Sequence, residues 1–205
     1  MLKVNSLSKS YQKEIFKNLN WELESGSICI LSGPNGAGKT SLLRMLCGAL
    51  LADSGSILWN NEESVKIRKK IGIAFASDGG FSPRLSVKEN ICFAGSFYGL
   101  SKAETEKRIN ELNFFEIDFW DRPIEEISMG MRQKVRLLRP FLHEPELLLF
   151  DEPLNGLDTK ARDQFKDFIK KWIQTPQRLI IIAQHGLKWD DCPAWEIKKN
   201  NLVKL

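Results

Sequence analysis

Ser27-Ile28-Cys29-Ile30-Leu31-Ser32 runs directly into Gly33-Pro34-Asn35-Gly36-Ala37-Gly38-Lys39-Thr40-Ser41. The first six residues read as a short apolar strand. The next eight fit G-x-x-x-x-G-K-[ST], and Leu42, Leu43, Met45, Leu46 and Leu50 follow at helical spacing. Gly48 and the turn Asp53-Ser54-Gly55 close that helix. Strand, glycine-rich loop and helix in this order make a phosphate cradle. Glycines let the backbone curl so that several N–H groups converge on phosphate oxygens. The helix N-terminus adds its partial positive charge. Lys39 is expected to reach the β- and γ-phosphates of a nucleotide such as ATP, Thr40 to ligate Mg²⁺ and Ser41 to touch the α-phosphate. A glycine-rich turn that binds nothing is the bland alternative, and the full motif between strand and helix weighs against it.

Two more apolar runs end in polar chemistry. Leu147-Leu148-Leu149-Phe150 delivers Asp151-Glu152-Pro153, and Leu179–Ala183 leads to His185. Asp151 is expected to hold the Mg²⁺ shell, and Glu152 to orient and polarise the attacking water. His185, at the end of a neighbouring strand, is placed to sense or stabilise the γ-phosphate and is expected, with Glu152, to be catalytic. Strands followed by helices, with polar motifs at their carboxyl ends, imply an α/β fold of the P-loop NTPase type. Its sheet is expected to be mainly parallel and flanked by helices, with ligands bound beyond the strand ends.

The remainder frames that core. Trp21 and Leu23 alternate with Glu22 and Glu24, so residues 1–31 read as strands in an N-terminal antiparallel part. From about Leu85 to Glu144 the pattern turns helical. Ser101-Lys102-Ala103-Glu104 opens an amphipathic helix with a capping box, and another helix runs from Ser128 to about His143. Asp158 caps a third helix, with Ala161, Phe165, Phe168, Ile169, Trp172 and Ile173 on one face and Pro176 beyond its end. We therefore expect one domain over 1–205, with 1–84 and 145–205 forming the catalytic core and about 85–144 an inserted helical subdomain.

Lys and Arg number 30 against 26 Asp and Glu, a difference of 4, and they are scattered rather than blocked. No nucleic-acid partner is expected from that balance. Cys29, Cys47, Cys92 and Cys192 show no C-x-x-C spacing, and three of them sit among apolar neighbours. They read as reduced, buried small hydrophobes. The longest apolar runs are far shorter than the roughly 20 residues a spanning helix needs.

These residues together resemble the ABC ATPase family. Ile127-Ser128-Met129-Gly130-Met131-Arg132-Gln133-Lys134 is similar to the family signature, whose ideal form is L-S-G-G-Q. Leu154-Asn155-Gly156-Leu157-Asp158 is similar to its D-loop and Ala183-Gln184-His185 to its histidine switch. Tyr11 stands where the family stacks an aromatic ring on adenine. The resemblance runs from about Leu2 to His185. The glycine-rich run is also similar to that of short haem-exporter ATPases and other exporter ATPases.

The resemblance implies an Mg²⁺-dependent ATPase that works as a head-to-tail homodimer, or as a heterodimer with another ABC ATPase. Ser128 and Gly130 of one copy would cover ATP on the phosphate loop of the other, and Asp158 would join that contact. It further implies a separate transmembrane transporter subunit and a place on the cytoplasmic face of a membrane, such as the bacterial inner membrane. A non-transport ABC ATPase acting on ribosomes or DNA is the alternative, and its paired ATP domains or long coiled coils are not seen here. Two departures stand out. Met129 and Met131 replace a glycine and the glutamine of the signature. After Ile71–Phe75, where the family places a glutamine, this chain has Ala76-Ser77-Asp78-Gly79-Gly80. Either Asp78 takes that place or the contact is absent.

Overall fold

The computed structural model describes residues 1–63, 66–76, 80–185 and 192–205. Among them two sheets form. The smaller is antiparallel and comprises β1 (Leu2–Ser10), β2 (Glu14–Leu23), β4 (Ser54–Trp59) and β5 (Glu62–Glu63), in the order β2-β1-β4-β5. The larger comprises β3 (Ser27–Ser32), β6 (Ile71–Ala74), β7 (Leu147–Asp151), β8 (Leu179–Ala183), β9 (Ala194–Lys198) and β10 (Asn201–Lys204). Its order is β10-β9-β3-β8-β7-β6, parallel except where β10 returns against β9.

The three central strands are apolar on both faces, and the structure divides them residue by residue. Cys29, Leu31, Leu147, Leu149, Leu179, Ile181 and Ala183 point into one core. Ile28, Ile30, Leu148, Phe150, Ile180 and Ile182 point into the other. That alternation is the two-residue period of a strand, hidden in the sequence because neither face meets water. The first core lies between the two sheets and takes in α1 (Lys39–Leu46) through Leu42, Leu43 and Leu46. Trp59 and Trp21 are its largest members, and Trp59 Nε1 donates to Glu146 Oε2 at 2.9 Å, tying the small sheet to the start of β7.

The second core lies under helices. Between β6 and β7 come α2 (Val87–Phe97), α3 (Lys102–Glu111) and α4 (Met129–Leu138); α5 (Thr159–Trp172) follows β7. Ser86 and Ser101 each complete a capping box, with Glu89 and Glu104 respectively. Asp158 Oδ1 accepts from Ala161 N at 2.8 Å and starts α5. Phe114 stacks on Phe168, and Phe141 meets Phe150, Phe168 and Trp172, so aromatic packing seals this layer to the sheet.

Two expectations need correction. The helix beginning at Ser128 stops at Leu138 rather than near His143, and a 3-10 turn, Arg139–Phe141, follows. Pro140 explains the break, since it lacks the N–H that another helical turn requires. Cys29 and Cys47 are buried as expected, whereas Cys92 and Cys192 are only half-buried. Asp78 lies outside the described residues. Among those described, no helix is long and apolar enough to cross a membrane.

His143, just beyond that turn, stacks on Tyr98 at the end of α2, with ring centroids 3.7 Å apart and an interplanar angle of 6°. Its ring nitrogens are closed off from solvent. Burial pushes its pKa from 6.5 down to about 4. The unfolded chain takes up a proton that the folded chain refuses until about pH 4, so stability should fall as pH drops from 6.5 to about 4. The loss should be on the order of 2–3 kcal/mol from this residue. In His143→Phe, which keeps the stacked ring, that part of the slope should vanish in denaturant melts across the window.

Candidate nucleotide site at the carboxyl ends of the central strands

Register builds this site. In the β3–β8 pairing Leu31 lies opposite Ala183, and in the β7–β8 pairing Asp151 lies opposite Ala183. The three strands therefore end level. The glycine loop leaves β3, His185 follows β8, and Asp151-Glu152 closes β7, all at one edge of the sheet. Ala74 of β6 pairs with Phe150, so Phe75 and Ala76 emerge beside Glu152.

Side chains meet there. Thr40 Oγ1 donates to Asp151 Oδ2 at 2.7 Å, linking the first turn of α1 to the end of β7. Asp151 is buried, and that burial raises its carboxyl pKa above the ordinary range; the Thr40 hydrogen bond opposes the shift and neighbouring Glu152 adds to it. Lys39 is only 6% exposed. Its ammonium donates to the carbonyls of Gly33 at 2.7 Å and Pro34 at 3.0 Å, so the loop curls around a buried cation. Gly38 adopts φ 103°, and a Cβ there would come within 2.5 Å of Ile15 Cγ2. That close approach presses the loop onto β2, whose hairpin with β1 carries Tyr11. The Tyr11 ring is 60% exposed, with Lys9 Nζ 5.4 Å from its centroid. Among the remaining loop residues, Gly33, Pro34, Asn35, Gly36 and Ala37 lead from β3 to this turn, and Ser41 lies in the first turn of α1.

His185 Nδ1 lies 3.3 Å from the Gly33 carbonyl, which can only accept, so the tautomer protonated at Nδ1 donates to the loop. Glu152 takes φ 51°, a left-handed conformation that is strained for a side-chain-bearing residue. Its N–H donates to Ala183 O at 2.7 Å, which anchors the strained turn to β8.

Ser128 and Gly130 stand at the N-terminus of α4, where Met129 and Arg132 line a cleft together with Glu152, Asn155 and Gly156. Ser128 Oγ accepts from Met131 N at 3.2 Å, and Met129 is 79% exposed. A Cβ on Gly130 would lie 3.0 Å from Gly156 O, so the loop 154–158 packs directly against the start of α4. Asp158, besides capping α5, stands 3.9 Å from Lys134. These residues make a second polar face at the start of α4.

Four residues that sequence reasoning did not assign enter here. Asn155 Nδ2 donates to Glu152 Oε2 at 2.5 Å, and Gln184 Nε2 donates to Asn155 Oδ1 at 3.2 Å. Gln133 Nε2 donates to Pro153 O at 2.7 Å, and Arg136 bonds both Gln133 Oε1 and Ala76 O. Asn155, Gln133 and Gln184 sit inside quoted motifs, but an amide has no spacing rule that would single it out. Arg136 lay outside every motif.

Fold and site together define a P-loop nucleoside triphosphatase. The ABC transporter family model matches residues 16–155. The chain is 33% identical over 196 residues to the ABC transporter ATP-binding protein NatA of Bacillus subtilis, covering 90% of this chain and 79% of NatA. It is 32% identical over 189 residues to the lantibiotic transport ATP-binding protein SrtF of Streptococcus pyogenes, covering 91% and 81%. Among solved structures, cbiO1 of Clostridium perfringens, part of the cbiONQ transporter complex, superposes with a TM-score of 0.81 at 27% identity, covering 98% of this chain and 86% of that one. The cassette MJ0796, solved as a dimer with ADP and Pi, shares the fold at a TM-score of 0.88 and 23% identity, over 100% and 99% of the chains. The chain belongs to the ABC transporter family and is an ATPase of that family.

Lys39→Ala removes the cation that the loop encloses and is expected to abolish tight ATP binding in calorimetry. Unchanged affinity would place the nucleotide elsewhere.

Proposed function

We propose that this chain is the ATP-hydrolysing subunit of a membrane transporter, an exporter in our reading, and that it works by closing a dimer around ATP. The observation that carries the hydrolytic part is the 2.7 Å bond between Thr40 and Asp151, which brings the loop and the strand-end carboxylates into one site. The loop from Gly33 to Ser41 would wrap the phosphates, with Lys39 leaving its carbonyl partners for phosphate oxygens. Tyr11 would stack on the base.

The residues fit a magnesium ion. Thr40 and Asp151 are hard oxygen donors side by side, and Mg²⁺ ordinarily takes one or two protein oxygens and completes its shell with phosphate and water. No group of three or more His, Cys, Asp or Glu able to hold a metal alone occurs among the described residues. The bound ion would neutralise charge on the phosphates. Glu152 would accept a proton from the attacking water, and His185 would report on the γ-phosphate through its bond to the loop.

The second polar face supports the dimer reading. Ser128 and the Gly130 N–H open a helix whose N-terminus favours an anion. In a head-to-tail pair, homodimer or heterodimer, that face would meet the phosphates held by the other copy, with Asp158 beside it. Residues about 85–144 act as a helical subdomain on the catalytic core. Phe93 and Phe97, 59% and 71% exposed, flank a cleft of about 300 Å³ with Phe75, Tyr98, Arg139 and Pro140. An apolar segment of a separate membrane-spanning subunit fits that surface, which would hold the chain at the cytoplasmic face of a membrane such as the bacterial inner membrane.

Glu152→Gln should still bind MgATP but turn it over at least ~100-fold more slowly, the lower range for a lost general base. With MgATP it should run as a dimer in gel filtration, and a monomer at saturation would count against the closure. Ser128→Arg should keep nucleotide affinity and lose turnover; normal turnover there would remove the α4 face from the mechanism.

A further inference from the structure

Glu152 is held by more than its strand. Asn155 Nδ2 donates to Glu152 Oε2 at 2.5 Å, and the Asn155 N–H donates to the Glu152 carbonyl at 3.2 Å. Behind Asn155 stands Gln184, 7% exposed, at the end of β8. Its Nε2 donates to Asn155 Oδ1 at 3.2 Å, and its Oε1 accepts from the Leu154 N–H at 3.4 Å. The two ends of this relay fix its direction. A backbone N–H can only donate and an ionised carboxylate can only accept, so both amides are locked in one orientation. An amide in the reverse orientation would aim its oxygen at the carboxylate and break two bonds at once.

We propose that Asn155, oriented by Gln184, is the positioning residue for the Glu152 carboxylate. Asn155 occupies Oε2, which leaves Oε1 as the oxygen that faces a water. The strained φ of 51° at Glu152 makes such a tether necessary, because a left-handed turn alone does not choose a side-chain direction. Gln184 joins the tether to the strand that also leads to His185, so both sides of the phosphate site share one support. This assignment rests on the reading of Glu152 as the group that handles the attacking water.

The test is steady-state MgATP hydrolysis by the full chain, with ATP affinity and melting temperature measured alongside. Asn155→Ala is expected to lower kcat about 10- to 100-fold, the scale of a slightly misplaced catalytic group, with KM for ATP unchanged. Asn155→Asp, close in shape but unable to donate when ionised, should lose activity to a similar extent while keeping the melting temperature, which covers the case in which the alanine variant fails to fold. Gln184→Leu should show a smaller loss in kcat alone. In a Glu152→Gln background, Asn155→Ala should add no further loss, because two residues that act as one unit are not additive. Wild-type kcat in both Asn155 variants overturns the assignment, as does a parallel loss of kcat, ATP affinity and melting temperature. Wild-type activity in Glu152→Gln alone would instead overturn the reading of Glu152 itself.

Discussion

Everything at the candidate nucleotide site depends on the level ending of β3, β8 and β7. Parallel pairing puts Leu31, Ala183 and Asp151 in one row across the sheet. Because both faces of these strands are buried, polarity alone does not set their register. Shifting β7 by one residue would exchange leucine for leucine at only two of its five positions. It would also drive Phe150 into the core built around Trp59 and Leu43, and pull Asp151 from Thr40. Close packing and the strand-end hydrogen bonds hold the row level.

That row gathers charges that burial makes costly. Lys39 and Asp151 are both nearly enclosed, and an ion moved from water into a protein interior loses several kcal/mol unless it finds partners. Lys39 has two carbonyls and Asp151 has the Thr40 hydroxyl. These neutral partners stabilise the charges without cancelling them, so the loop still favours a polyanion. The strained Glu152 sits at the same edge. Its backbone is bound to β8 and its side chain to Asn155, so the strain is sustained by neighbours on two different segments.

The helical layer is joined to this edge through a small number of polar links. Gln133 on α4 bonds the carbonyl of Pro153, next to Glu152, while Arg136 bonds both Gln133 and the carbonyl of Ala76 at the end of the β6 segment. Gly130 lies close enough to Gly156 that a larger side chain would press on its carbonyl. These contacts connect α4 to the loop that follows β7 and to the segment leaving β6.

The local pieces were legible in the sequence because each is dictated by short-range chemistry. A glycine loop before a helix, Ser101 three residues ahead of Glu104, and aspartate before α5 all act through backbone groups within one turn. The order of those pieces also carried the fold class and the carboxylate pair Asp151-Glu152. The alternation within Leu147–Phe150 and Leu179–Ala183 was not legible, since apolar residues on both faces erase the two-residue pattern. Nor was the end of α4, where Pro140 outweighs a helical spacing that continues past it. The tether of Glu152 needed the tertiary structure outright. Asn155 and Gln184 lie 29 residues apart in the chain, and only the pairing of β7 with β8 brings their amides within hydrogen-bond reach. The sequence by itself determined which groups could do the chemistry; the register of the buried strands decided which of them meet.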